Sequence, residues 1–409
     1  MDEMKKHRID RALREIDHMQ NRDGQNRDGT GDVLHSEERR RFLGLTATFG
    51  FTTAMVAAGA GTLMSTEAAA QTADEERSRE GAAKYKITLA TEYRIGTTRS
   101  YPVIQLNVKE NLQNFSNGAI YVKLQPGGAL GTGTALAQKV QAGTVEIGQF
   151  SLSNFAPFAP AVDLINLPYW CGENQKFVNL ITSDVWEEQV NKLVREKGFE
   201  PMFYFCIDPR TAAKRKGLSE GPFKTPADLA GVKFRVPGSE ILKQFYRLLG
   251  ANPTPVAWAE TPSAIKQGVA DALDPSVGAL YAFGFKDILS FVTFNRPVPD
   301  SQVYGMNKAW FDGLDAETKD AIKQASETCL QQNLAQVPAS RAFAMAEMRA
   351  AGVEFYVPTE EELAQWREKS GAQLADWDPI KTQILGSPDK FQALVEAANA
   401  QSKYFVHDV

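Results

Sequence analysis

The chain has 409 residues, 43% of them hydrophobic and 23% charged, with a formal net charge of -5. That length holds two lobes with real cores. The acidic balance argues against nucleic acid or an anionic membrane as a partner, so an anionic ligand must meet locally concentrated positive charge.

Residues 1–38 are almost wholly polar, with the near-repeat Asn21-Arg-Asp-Gly24 and Asn26-Arg-Asp-Gly29. They lack the apolar surface for a core. Arg39-Arg40-Arg41-Phe42-Leu43 follows, then a Gly-, Ala- and Thr-rich apolar stretch to about Met64, then Ala68-Ala-Ala70. This order reads as a twin-arginine export signal removed near Ala70. The alternative is a membrane anchor, which the many glycines and threonines disfavour. The expected location is the periplasm, reached through the Tat machinery. Cys171, Cys206 and Cys329 lack metal-ligand spacing and read as buried thiols, although an oxidising compartment permits a disulfide.

From Tyr85 the pattern alternates strand and helix. Strands are predicted at 85–91, 119–124 and 145–150, with helices near 100–115 and 133–142. Such βαβαβ order implies an α/β fold with a mostly parallel sheet. A second cycle follows an apolar strand at 203–207. It has a short helix opened by Thr225-Pro226, a strand at 231–236, a helix at 239–249, a short strand near 253–256 and a helix near 260–268. The remainder is mainly helical. Asp315 caps a helix running towards Gly352, within which Pro338 predicts a kink or break. Thr359 and Glu362 form a capping box for another helix.

Arg235 ends the 231–236 strand just before the Ser239 cap. A guanidinium there offers a carboxylate two parallel charge-assisted bonds, and free N–H groups at a helix start add positive partial charge. Arg210, just after the 203–207 strand, reads alone as a solvated arginine. Trp258 reads alone as core rather than as a ligand wall. The Gly127–Gly133 loop fits a tight turn better than a phosphate cradle, because its glycine order matches neither nucleotide-binding fingerprint. Catalytic residues are scarce. The four histidines are His7, His18, His35 and His407, so three precede the expected cleavage point and the fourth is at the tail. Histidine-based nucleophilic catalysis or metal binding has no central residue, while carboxylate catalysis stays open.

The block Lys224-Thr-Pro-Ala-Asp-Leu-Ala-Gly-Val-Lys-Phe-Arg235-Val-Pro-Gly238 is followed by Leu249-Gly-Ala-Asn-Pro253 and Ala264-Ile-Lys-Gln-Gly-Val-Ala-Asp271. With Gly127-Gly-Ala-Leu-Gly131, Gln141-Ala-Gly-Thr-Val-Glu-Ile147, Leu167-Pro-Tyr169 and Tyr304-Gly-Met-Asn307, it resembles the DctP family, the extracytoplasmic solute receptors of TRAP transporters. The resemblance covers about 85–400.

It implies a two-lobe fold of the type II periplasmic-binding-protein kind with a long connecting helix. Lobe I is expected at 85–207 and 301–340, lobe II at 208–300 and 341–409. The implied function is capture of a small organic carboxylate and its delivery to the small and large TRAP permease subunits, without catalysis. The competing class is an exported α/β enzyme using carboxylate catalysis on an organic acid. Arg235 is the implied carboxylate anchor, with Arg210 assisting and Trp258 packing on the ligand. Ser151 and Glu92 are looser cleft assignments. The chain departs from the family at Leu273-Asp274-Pro275, where many members carry Gln-Glu-Asn, so the ligand contact of that Asn is expected to be lost or replaced by Asp274. The acidic pair Glu92 and Asp274 then implies a ligand bearing hydroxyls or an amine, or an associated cation; no other cofactor is expected.

Overall fold

The structure is a computed structural model that describes residues 66–406. The chain divides into Met1–Glu75 and Glu76–Val409. Of the first unit, only the opening turns of helix α1 (Thr66–Ala82) are described. The twin-arginine segment and all four histidines therefore lie outside the described residues.

Within Glu76–Val409 there are two sheets. The first has strand order β2-β1-β3-β10-β4, built from β1 (Tyr85–Thr91), β2 (Ile120–Gln125), β3 (Ile147–Ser151), β4 (Phe199–Pro209) and β10 (Pro299–Asn307). β1 pairs parallel with β2 and β3, because helices α2 (Gln105–Phe115) and α3 (Gly133–Gln141) carry the chain back across the sheet. Their inner faces (Val108, Leu112, Leu136 and Val140) are fully buried. Helix α4 (Asn174–Ile181) packs on β4.

The second sheet runs β11-β9-β5-β8-β6-β7. Its strands are β5 (Ala212–Arg215), β6 (Lys233–Val236), β7 (Asn252–Pro255), β8 (Ala272–Leu273), β9 (Leu289–Thr293) and β11 (Glu354–Tyr356). Helices α5 (Glu240–Leu248) and α6 (Val277–Ala282) accompany it.

Neither sheet is as parallel as strand–helix alternation predicts. β10 runs antiparallel to both its neighbours, and β5 antiparallel to β8 and β9. The cause is topological. The chain leaves the first sheet directly from β4 to β5 and returns directly from β9 to β10, with no helix to reverse it. The two crossings lie side by side: Pro209 is in register with Pro299, and Arg210 N–H donates to Val298 C=O at 2.9 Å.

A third link is α7 (Ala316–Ala350), which packs on β4 and α2 and also on α6. Asp315 caps it, accepting from Thr318 N–H at 2.7 Å. The expected break at Pro338 does not occur, and the backbone stays helical through it. Val337 and Ser340 are buried on either side, so packing offsets the one backbone hydrogen bond that proline removes.

The closing helices are α8 (Glu360–Ser370), α9 (Asp378–Leu385) and α10 (Lys390–Asn399). They do not follow the expected boundary that gives all of 341–409 to the second lobe. Trp366 of α8 donates to Lys224 C=O at 2.9 Å, beside the second sheet. α10 instead packs on α4 of the first, where Asn179 Nδ2 donates to Ala398 C=O at 3.1 Å. The three cysteines are buried and form no disulfide among the described residues.

Where β4 approaches the first crossing, the Asp208 carboxylate takes a fork from Arg341 of α7, with Nε to Oδ2 at 2.7 Å and Nη2 to Oδ1. Both side chains are buried. Removing one partner of such a pair strands a charge. Arg341→Ala should cost roughly 3–5 kcal/mol in urea unfolding, and the Asp208→Asn/Arg341→Ala double variant should lose less than the two single losses added.

Candidate functional site

A cavity opens between the two sheets, where β1, β3, β6 and the crossing segments end. Its atom-free space, mouth included, is about 340 Å³. The part that can hold the centre of a water-sized sphere is only about 30 Å³, so the cleft is nearly closed in this structure. Glu92, Ser151, Arg210, Arg235 and Trp258 all line it, joined by Tyr93, Tyr101, Asn154, Asp300 and Gln302. A roomier surface depression near Arg195 is lined by charges already matched, since Glu187 and Glu200 both hold that guanidinium.

Alternation along β6 sets the position of Arg235. Phe234 stacks on Tyr246 of α5 with ring centroids 3.8 Å apart, so its neighbour projects from the other face. Arg235 is 3% exposed. Its Nε and Nη2 both donate to Val256 C=O, at 3.0 and 2.8 Å, which fixes the plane of the fork. The guanidinium carbon lies 5.1 Å from the Trp258 ring centroid. Trp258 is braced edge-on by Phe283 at 4.9 Å. Among the described residues no ion pair involves Arg235. Burial pushes its pKa down to about 10, with Asp274 opposing that shift and Arg210 adding to it. At neutral pH it is therefore a charged group whose burial cost the protein leaves largely unmet.

Arg210 is also buried, but it is neutralised. Nη1 donates to Asp274 Oδ1 at 3.0 Å, and Nη2 to Ser153 Oγ at 3.2 Å, with Asp300 Oδ1 3.3 Å away. Burial lowers the pKa of this group, yet Asp274 and Asp300 outweigh it and hold the guanidinium above its ordinary range. Asp274 is completely buried behind Arg210 and does not line the cavity, so the ligand contact expected of it is not one this structure offers. Burial raises its pKa, and the two arginines oppose that shift.

The facing wall is polar. Gln302 Nε2 donates to the Tyr93 and Tyr101 hydroxyls at 3.1 and 2.8 Å. Glu92 follows β1 directly and accepts from Gly133 N–H at 3.3 Å. Burial raises its pKa as well. Asp300 Oδ2 accepts from the N–H and Oγ of Ser276. Ser151 is in register with Gln302 across β3 and β10.

One expectation is corrected. The N-terminus of α5 is not left free for a ligand. Ser239 caps it, accepting from Leu242 N–H at 3.0 Å, and the next N–H, of Ile241, meets Asp163 Oδ2 at 3.4 Å. Asp163 belongs to a 3₁₀ segment, Pro160–Asn166, among the first-sheet elements, so the helix's positive end is taken by an internal anion. Asn166 donates to Asp163 at 2.8 Å and its other amide atom accepts from Ser153 Oγ at 3.4 Å. A continuous hydrogen-bonded path thus links Arg210 to the start of α5. Asp163→Ala should leave Ile241 N–H and Asn166 underbonded and cost about 1–3 kcal/mol in chemical denaturation, with Asp163→Asn closer to wild type.

Tyr93, Tyr101, Asn154, Asp300 and Gln302 escape sequence reasoning. Tyr93 and Glu92 sit next to each other, but Gln302 is 201 positions from Tyr101. Nothing local marks β10 as a cleft strand: Asp300, Ser301 and Gln302 stand together in the sequence as an ordinary polar stretch, and only the fold buries all three.

Residues 102–378 match the family model for bacterial extracellular solute-binding protein, family 7 (DctP). Among curated relatives, the 2,3-diketo-L-gulonate-binding periplasmic protein YiaO of Escherichia coli K12 is 24% identical over 284 residues, covering 69% of this chain and 84% of the relative. The crystal structure of a TRAP periplasmic solute-binding protein from Roseobacter denitrificans with bound β-D-glucuronate superposes with a TM-score of 0.68 at 23% identity, covering 78% of this chain and 100% of that one. Another from Sulfurospirillum deleyianum, with bound succinate, gives 0.67 at 20% identity and covers 78% and 100%. At such identities the likeness shows the fold, a two-lobe type II periplasmic-binding architecture.

Proposed function

The chain belongs to bacterial extracellular solute-binding protein family 7, and from that premise we propose that its interlobe cavity captures one small organic carboxylate on Arg235. The observation that carries this is the buried, fixed guanidinium with no carboxylate partner among the described residues, open to a cavity and backed by Trp258. A ligand carboxylate supplies the missing countercharge, and the guanidinium fork sets its orientation. Trp258 offers a flat apolar face for the adjoining carbons.

The function is reception rather than turnover. Holding a ligand needs complementary charge and a way in and out. Two adjacent strand crossings and one long helix join the two sheets, which suits closure of one lobe over the other. The site supplies no histidine or nucleophile–base pair, which supports release of the acid unchanged. Delivery to TRAP permease subunits, and export by the twin-arginine route to the periplasm, complete the proposal.

Calorimetric titration of the purified protein with D-glucuronate and a panel of other organic acids tests the site. Arg235→Ala should lose roughly 2–5 kcal/mol of binding, and Arg235→Lys should also bind more weakly because an ammonium lacks the planar fork. Unimpaired binding by the alanine variant sinks the assignment. Recovery of a chemically altered acid after incubation would instead favour an enzyme.

A further inference from the structure

Resting on the receptor function proposed above, we infer that the ligand is a polyhydroxylated acid with a single carboxylate, and that Asp274 is the residue that excludes dicarboxylates. The fold leaves this open, since structural relatives hold both glucuronate and succinate.

The inference follows from which charges are spoken for. Two guanidinium groups reach the cavity, and of these Arg235 has no anionic partner among the described residues. Arg210 is clamped between Asp274 and Asp300 at 3.0 and 3.3 Å, and both carboxylates are buried. The main chain that carries Asp274 is held in place. Thr211 N–H is bonded to its carbonyl at 3.1 Å, and Thr211 Oγ1 is bonded to the next carbonyl, of Pro275, at 2.8 Å. The cleft therefore offers a single uncompensated guanidinium, that of Arg235, to one carboxylate.

A second ligand carboxylate shares the cavity with Glu92 and Asp300, which line it and repel it. A hydroxyl in the same place finds acceptors in those carboxylates. It also finds groups that both give and take hydrogen bonds in Gln302, Asn154 and the Tyr93 and Tyr101 hydroxyls. That mixture fits several hydroxyls better than one ammonium, which only donates.

In Asp274→Asn the same side-chain shape stays, one carboxylate is lost, and Arg210 is left paired with Asp300 alone, which lessens the repulsion a second ligand carboxylate meets. Calorimetric titration with D-glucuronate and succinate reads the effect. The wild type should favour glucuronate by about 100-fold or more, and Asp274→Asn should shrink that preference by roughly tenfold, mainly through tighter succinate binding. Glu92→Gln, on the more exposed wall, should shift the ratio the same way and carries the test if the buried variant fails to fold. Equal affinity for the two acids in the wild type, or a preference for succinate, overturns the inference and leaves the receptor function standing. An unchanged ratio in folded Asp274→Asn overturns Asp274 as the excluding residue, and an unchanged ratio in Glu92→Gln overturns repulsion by the cleft carboxylates as the cause. Folded protein that binds no carboxylate at all overturns the receptor function, and this inference with it.

Discussion

The buried guanidinium of Arg235 is the constraint on which the cleft depends. A charge with almost no access to water is tolerated only when opposite charge or hydrogen bonds compensate it. Here the protein supplies one carbonyl and an aromatic face, and holds its carboxylates at a remove. The site is in that sense incomplete without an anion. Arg210, one strand away, shows the contrasting case of a cation the protein has completed for itself.

The fold makes this difference possible. β6 sits between β7 and β8, so both its edges are paired and Arg235 cannot drift. Arg210 sits at the first crossing between the sheets, where the chain turns out of β4, and therefore meets groups from several segments at once: Ser153, Asp274 and Asp300. From Ser153 the hydrogen bonds continue through Asn166 and Asp163 to the start of α5. The cleft floor and the contact between first-sheet and second-sheet elements thus share one polar network. Such networks have high stakes, because any member left unpaired pays the desolvation cost in full.

Much of the frame was legible from the chain, and the reasons are local. Ser239, Asp315 and Thr359 are caps whose function lies within three residues, and each caps as its sequence predicts. Arg235 and the α/β alternation were visible for the same reason. What stayed hidden depends on distant partners. The antiparallel insertion of β10 comes from a crossing that no local pattern signals, and Pro338 is carried by packing on both sides of α7. The N-terminus of α5 looked available because Asp163, 78 positions earlier, could not be placed against it. Whether Arg210 is free or neutralised likewise hangs on Asp274, 64 positions away, and on Asp300.

A crystal structure of the protein with D-glucuronate tests the central claim most directly. The account predicts both oxygens of the ligand carboxylate within hydrogen-bond distance of the Arg235 guanidinium, beside Trp258, with Arg210 still clamped by Asp274 and Asp300. A carboxylate seated on Arg210 with those aspartates displaced, or a ligand bound away from the interlobe cavity, would contradict it.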